Sequence, residues 1–295
     1  MPFFSVTNYD IIKMITGDKQ QWKDILFNSS LRDHVCKLYG DDAFRSLDST
    51  YITPEHFNHS YSGSTGNIER SVFHVNIQSL NAKHVCQFIE TLCVEFDVIV
   101  LTEIWSCNID FYRNILPDYN FYYELPQSGR VGGVGMYVKS SLGQNNTTSY
   151  KLINSNSYKV EDMWLQISKN KKNYIIGGIY RHPNQNITDF RNMMDTALCK
   201  IASQRYTCIV TGDFNIDLLQ WNTQKPIQDY RDTVTGNNFM PLLILPTRVT
   251  SKSSTLIEFV DSVSFSSRDV SSKSWESIGY FRHYESVKDH VQCLI

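Results

Sequence analysis

The sequence has no surplus of either charge: 28 Lys and Arg stand against 30 Asp and Glu in 295 residues, a formal net charge of -2. That excludes whole-molecule attraction to a polyanion, and leaves only local basic surface for any nucleic-acid contact. No apolar run approaches the ~20 residues of a membrane helix. The opening MPFFSVTNYDIIKM also lacks a basic segment followed by a long apolar one. The seven cysteines (Cys36, Cys86, Cys93, Cys107, Cys199, Cys208 and Cys293) follow no zinc-site spacing, and most read as buried thiols, with a reducing, intracellular compartment as the default. Internal repeats and low-complexity tracts are missing too. What is there is an ordinary globular composition, 41% hydrophobic and 20% charged, long enough for one large domain or two.

Residues 1–70 read as a leader, with short helices in DIIKMITGDKQQWKDILF and SSLRDHVCKLYG and a polar linker, HSYSGSTGNIER. The main domain is read as 71–295. Its pattern predicts strands at 71–77, 97–104, 119–125, 132–138, 162–167, 173–180, before GDFN, at 255–265 and at 289–295. Helical spacing is clear twice, at 83–96 and at 187–203, where Thr188 is the expected N-cap. So many short strands with so few helices predict two packed sheets with helices outside rather than a doubly wound sheet. VGGVGMYVK, despite three glycines, reads as a tight turn into a strand rather than a nucleotide-binding loop. The aromatic segment FYRNILPDYNFYY fits sheet alternation and base stacking equally well.

Several apolar runs end in a polar group. Asn76 ends FHVN, Glu103 ends VIVLTE, Tyr180 ends IIGGIY, Asp213 and Asn215 end IVTGDFN, and Asp289 and His290 precede VQCLI. Any one of them is explained by turn capping. Glu103 is the least comfortable under that reading, because an acid after an apolar run is costly to bury unless paired or metal-bound. Together, carboxylates and amides make a hard oxygen donor set suited to Mg2+. Hydrolysis of a phosphodiester needs charge neutralisation, an activated water and a stabilised leaving oxygen. The set can supply them: Glu103 for a metal, Asp213 for the water, Asn76 and Asn215 for amide contacts, and His290 for the phosphate.

The ordered series HVNIQSLNAK, DVIVLTEIW, GGVGMYV, GGIYRHP, VTGDFNID, PTRVT with STLIEFV, and KDH resembles the endonuclease/exonuclease/phosphatase superfamily. More narrowly it is similar to the apurinic-type endonuclease domain of non-LTR (LINE-like) retrotransposons. The resemblance implies a DNase I-like, four-layer α/β/β/α sandwich of two mixed sheets. It implies Mg2+-dependent (or Mn2+-dependent) nicking of DNA to leave a 3'-hydroxyl. In residue terms it implies Glu103, Asn76 and Asp289 at the metal. Asp213, Asn215, Tyr180, His290 and Glu258 fall at catalytic positions, and Arg181, Arg248 and Thr250 at substrate contacts. DNA as partner, a monomeric state, no membrane, a nuclear rather than cytoplasmic location and a reverse transcriptase domain in a longer parent protein follow from the same likeness. His182 in YRHP reads as a loop residue shaping the rim, and Trp105 as core or a wall of the site.

The departures matter as well. Glu258 and Phe259 stand where the family usually has aspartate and histidine, and Lys288 stands in place of the serine before DH. One added methylene at Glu258 displaces its carboxylate by about 1 Å, a shift of the order that costs ~100-fold in rate. Two alternatives therefore stand beside the nuclease: a weak or inactive derivative that binds DNA or a partner, and a phosphatase of the same fold.

Overall fold

The computed structural model describes residues 71–77, 95–105, 109–113, 115–126, 129, 131–142, 147–150, 160–169, 172–204, 206–241, 248–249, 254–255, 258–263, 279–281 and 292–294. The leader, residues 83–94 of the helix expected at 83–96, Thr250, Asp289 and His290 lie outside those residues, and Glu95 and Phe96 are not helical. For Arg248 and Glu258 only the backbone is described.

One sheet has four strands: β1 (Val72–Asn76), β2 (Val98–Thr102), β3 (Tyr119–Glu124) and β4 (Val134–Lys139), in the order β1-β2-β4-β3. The β1/β2 pair is parallel and the rest antiparallel, so the sheet is mixed. All five residues of β2 are buried, so both of its faces are covered, as its unbroken apolar run requires. Part of the outer cover is a short helix, α1 (Ile109–Arg113), which contributes buried Ile109 and Tyr112. There the Tyr137 hydroxyl donates to the Tyr112 carbonyl at 2.9 Å.

The second sheet has six strands: β5 (Thr147–Tyr150), β6 (Val160–Lys169), β7 (Lys172–Arg181), β8 (Thr207–Asp213), β9 (Met240–Pro241) and β12 (Glu258–Val263), ordered β5-β6-β7-β8-β12-β9. Here β7 and β8 are parallel, and the chain crosses between them through α2 (Ile187–Gln204). A further helix, α3 (Lys225–Gly236), packs beside α2. Two small antiparallel pairs, β10 (Arg248–Val249) with β11 (Ser254–Thr255) and β13 (Gly279–Phe281) with β14 (Gln292–Leu294), complete the described strands.

The sheets pack face to face through one core, in which Val98, Val100, Val134, Met136 and Val138 meet Met163, Leu165, Ile167 and Ile176. A second core lies on the other face of the six-stranded sheet, where Trp164, Ile175, Ile179, Val210 and Phe214 meet Phe190, Met194, Leu198 and Ile201 of α2 and Tyr230 and Val234 of α3. The fold is thus α/β, two mixed sheets flanked by helices, as the sequence predicts.

Two local expectations change. The cap of α2 is Asn186 rather than Thr188: its side-chain oxygen accepts the backbone N–H of Thr188 at 2.8 Å and of Asp189 at 3.2 Å. Asparagine at an N-cap satisfies two otherwise orphaned donors, which Thr188, already one residue inside the helix, cannot do. The helix α3 was not anticipated. Its buried positions Ile227, Tyr230 and Val234 have helical spacing, but Arg231 and Thr235 on the same buried side dilute the apolar stripe.

Candidate active site

The four expected strand ends fall together because both parallel pairs run the same way into one region. Asn76 closes β1, Glu103 follows β2, Tyr180 and Arg181 end β7, and Asp213 ends β8. At the centre is the Asn76 amide, 1% exposed, whose Nδ2 donates to Glu103 Oε1 at 2.9 Å and to Asp213 Oδ2 at 2.8 Å. One amide thereby joins two carboxylates carried by different sheets. Bonds of this charge-assisted kind each contribute ~1.5–3 kcal/mol. Glu103 also receives the Trp105 indole N–H at Oε2, 3.2 Å away, so Trp105 is a wall of the site.

Backbone strain aims three of these groups. Glu103 has φ 57°, Trp105 φ 54° and Asn215 φ 49°, all left-handed, a conformation asparagine tolerates but glutamate and tryptophan do not favour. Such strain costs on the order of 1–3 kcal/mol and collects where geometry is functional.

The order of GDFN is explained residue by residue. Gly212 has φ 154°, and a Cβ there would lie 1.8 Å from the Ile179 carbonyl oxygen, so only glycine lets β7 and β8 approach. Strand alternation then turns Asp213 towards the site and Phe214 into the helix-side core, where it packs edge-on to Phe190 at 5.5 Å. Asn215 returns to the site side. Its backbone N–H donates to Asp213 Oδ1 at 3.0 Å, and its side-chain Nδ2 donates to the Arg181 carbonyl at 2.8 Å.

Arg181 differs from its expected role as a phosphate contact. It is 1% exposed, and its guanidinium donates to the carbonyl oxygens of His182 at 2.8 Å, Gln185 at 3.1 Å and Asn215 at 3.3 Å, over the Phe190 ring. A buried guanidinium spent on backbone cannot meet a phosphate in this conformation. It braces the loops after β7 and β8 and places a positive charge near Asp213.

Tyr180 lies opposite Asp213 in the β7/β8 register and is 2% exposed, with its hydroxyl bonded to Glu103. Burial first, then the charges of Glu103, Asp213 and Glu161, push the phenol well above its ordinary range. Asp213 is pushed up to about 7, by burial first and the Glu103 charge second. The bonds from Asn76 and Asn215 and the Arg181 charge pull the other way without prevailing. The arrangement is one of crowded negative charge: a carboxylate poised near neutrality beside another carboxylate, with its counter-cation turned into the protein.

Two residues here were missed or underread. Glu161 on β6 is fully buried and pairs in register with Tyr180, and its Oε1 meets His182 Nε2 at 3.1 Å. The available signal was the pair of acids in VEDMWLQI, since Glu161 and Asp162 are both buried and serve opposite faces. Asp162 takes the Trp164 indole N–H at 2.7 Å. His182, read as a loop residue, is the partner of that buried acid.

Of the remaining candidates, Glu258 opens β12 with its backbone opposite Asp213, and Arg248 lies in β10. Asp289, His290 and Thr250 fall outside the described residues. Among the described residues, no group of three or more His, Cys, Asp or Glu side chains gathers as a metal site, and no helix is long and apolar enough to cross a membrane.

Two face-to-face mixed sheets, with acidic side chains at the carboxyl ends of their parallel strands, define an α/β sandwich. The chain matches the Endonuclease/Exonuclease/phosphatase family over residues 73–277, and it belongs to that family. No curated protein matches it. Among solved structures, the AP endonuclease LMAP from Leishmania major superposes with a TM-score of 0.54 at 12% identity, covering 76% of this chain and 90% of that one. The endonuclease domain of TRAS1, a telomere-specific non-LTR retrotransposon, gives 0.48 at 12% identity over 64% and 82% of the two chains. The Xenopus laevis APE2 catalytic domain gives 0.48 at 14% identity over 64% and 81%. At these identities the likeness to LMAP is one of fold.

Proposed function

We propose that the protein is a divalent-metal-dependent endonuclease that hydrolyses a DNA phosphodiester bond to leave a 3'-hydroxyl, of the kind found in non-LTR retrotransposons. The observation that carries the reading is the Asn76 amide holding the Glu103 and Asp213 carboxylates together at the meeting of the two sheets. Asp213, raised to about 7, is suited to take a proton from an attacking water. Attack forms a new P–O bond, the bond to the 3' oxygen breaks, and that oxygen takes a proton from solvent to become the 3'-hydroxyl. Tyr180 and Asn215 border the reacting phosphate in this reading, and His290 contacts it. Arg248 and Thr250 bind the DNA, and Glu258 supports the histidine.

The donor chemistry fits Mg2+ or Mn2+. Glu103 and Asp213 are hard oxygen donors whose mutual repulsion a cation relieves, and Asn76 holds them at one place. Glu103, with Asn76 and Asp289, would hold the ion, which when bound neutralises phosphate charge and stabilises the leaving oxygen. The reading carries with it DNA as partner, a monomer, a nuclear location and a reverse transcriptase domain in a longer parent chain.

A second reading, a DNA-binding derivative of low activity, is favoured by one observation: the Asn215 side-chain amide is tied to the Arg181 carbonyl rather than left for substrate. Nicking of supercoiled plasmid with Mg2+ and with EDTA decides between them. Metal-dependent open circles, lost in Asp213→Ala, support the endonuclease. Retarded DNA without nicking, from folded protein across Mg2+ concentrations, supports the derivative.

A further inference from the structure

We propose that Glu161 and His182 are a positioning pair for Tyr180, fixing the ring whose hydroxyl faces Glu103. The inference rests on the nuclease reading for its kinetic consequence and on geometry for its substance.

Three contacts define the unit. Glu161 stands across the β6/β7 register from Tyr180. Its Oε1 lies 3.1 Å from His182 Nε2, within hydrogen-bond distance. The His182 ring then meets Tyr180 edge-on, with centroids 4.9 Å apart and planes at 74°. The Tyr180 hydroxyl is held at its other end by Glu103. A phenol ring has two soft torsions, and this set restrains both, one through the hydroxyl and one through the ring edge.

The pair is costly in a way that packing does not explain. Glu161 is 0% exposed, and its second carboxylate oxygen, Oε2, has no hydrogen-bond partner among the described residues. An unsatisfied buried acceptor costs about 1–3 kcal/mol. Two apolar side chains of similar volume would fill the space without leaving a buried polar atom unpaired. The backbone is also shaped to admit the pair: Gly132, at φ 116°, lies so close that a Cβ would stand 3.0 Å from Glu161 Oε2 and 3.1 Å from His182 Nε2. A left-handed glycine, a buried acid and a histidine on three separate segments converge on one tyrosine.

The test uses the full chain with its tyrosine rings isotopically labelled, the Tyr180 resonance being assigned by its loss in Tyr180→Phe. His182→Ala and Glu161→Gln are both expected to shift or broaden that resonance while leaving the other tyrosine signals in place. His182→Gln keeps a donor for the buried carboxylate and loses only the ring, so it carries the test if the alanine variant does not fold. In nicking assays the pair is expected to support kcat by ~10- to 100-fold with KM little changed, the signature of orientation rather than binding. In a Tyr180→Phe background, His182→Gln is expected to cost little more, because its effect passes through the lost hydroxyl. An unchanged Tyr180 resonance in folded His182→Gln and Glu161→Gln overturns the proposal, as does full additivity with Tyr180→Phe. If the wild-type protein nicks no DNA, the nuclease reading fails, and the resonance still decides the positioning claim.

Discussion

On its helix-covered face the six-stranded sheet buries Trp164, Ile179, Val210 and Phe214 against α2 and α3. At one end of its opposite face the same strands bury Glu161, Tyr180 and Asp213 just as deeply. The first region gains from every atom removed from water, and an extra buried methylene there contributes ~0.8 kcal/mol. The second holds carboxylates that repel one another, one orphaned acceptor and three left-handed non-glycine residues at the strand ends, Glu103, Trp105 and Asn215. Equal burial with opposite content separates what keeps the molecule folded from what it is folded for. Truncation on the helix side is expected to cost stability first, and truncation at the strand ends to cost activity first.

The largest effect that sharpens this comparison is Asp213→Ala. Loss of a general base costs ~10²–10⁴-fold, and a drop of that order in plasmid nicking is expected with the thermal midpoint held or raised. A variant that melts early with its nicking rate per folded molecule intact would break the comparison. Phe190→Ala is the converse. Phe190 is fully buried between Phe214 and Tyr230. Its truncation is expected to cost ~3–5 kcal/mol in urea unfolding, with near-normal nicking from the protein that remains folded.

The sequence reveals the strand ends better than the links between them. Asn76, Glu103 and Asp213 stand out because each terminates an apolar run, and termini are local features. The close approach of two backbones at Gly212 is not legible, because its partner, the Ile179 carbonyl, lies on another strand. Glu161 is invisible for a related reason. Its role depends on the β6/β7 register that sets it opposite Tyr180, and no local pattern encodes a register. The surroundings of Arg181 are not legible either, because a basic residue beside such a motif suggests substrate, whereas its guanidinium meets backbone carbonyls supplied by loops 1 to 34 residues away. The α3 helix was obscured by polar residues on its buried side, where Arg231 lies over the Trp221 ring at 4.0 Å.

Arg181 belongs to both regions, since its guanidinium lies over core Phe190 and braces the loop that carries Asn215. Arg181→Met keeps much of the volume and removes the donors. It is expected to remove a donor from four carbonyls and to lower stability by ~1–3 kcal/mol. Nicking should fall by up to ~100-fold as the Asp213–Asn215 turn loosens. A loss of DNA affinity with kcat and stability unchanged would instead return Arg181 to the role of a phosphate contact.

The smallest effect is also the most diagnostic of stored charge. Asp213 is pushed up to about 7 in the folded protein, against ~3.9 in an unfolded chain. Between those values the folded state holds a proton that the unfolded state has released. The stability contributed by the neutral carboxyl is therefore full below ~3.9 and is lost as pH rises to about 7. Asp213→Asn cannot ionise. In EDTA its stability advantage over wild type should be smallest near pH 4, grow with pH and level off above about 7, the value at which Asp213 gives up its proton. Urea midpoints for the two proteins across that range test this directly, since the other titrating groups cancel in the difference. A gap that is flat with pH, or widest in acid, would mean that the Asn76 and Arg181 contacts outweigh burial and the Glu103 charge, and that this strand end stores no electrostatic cost.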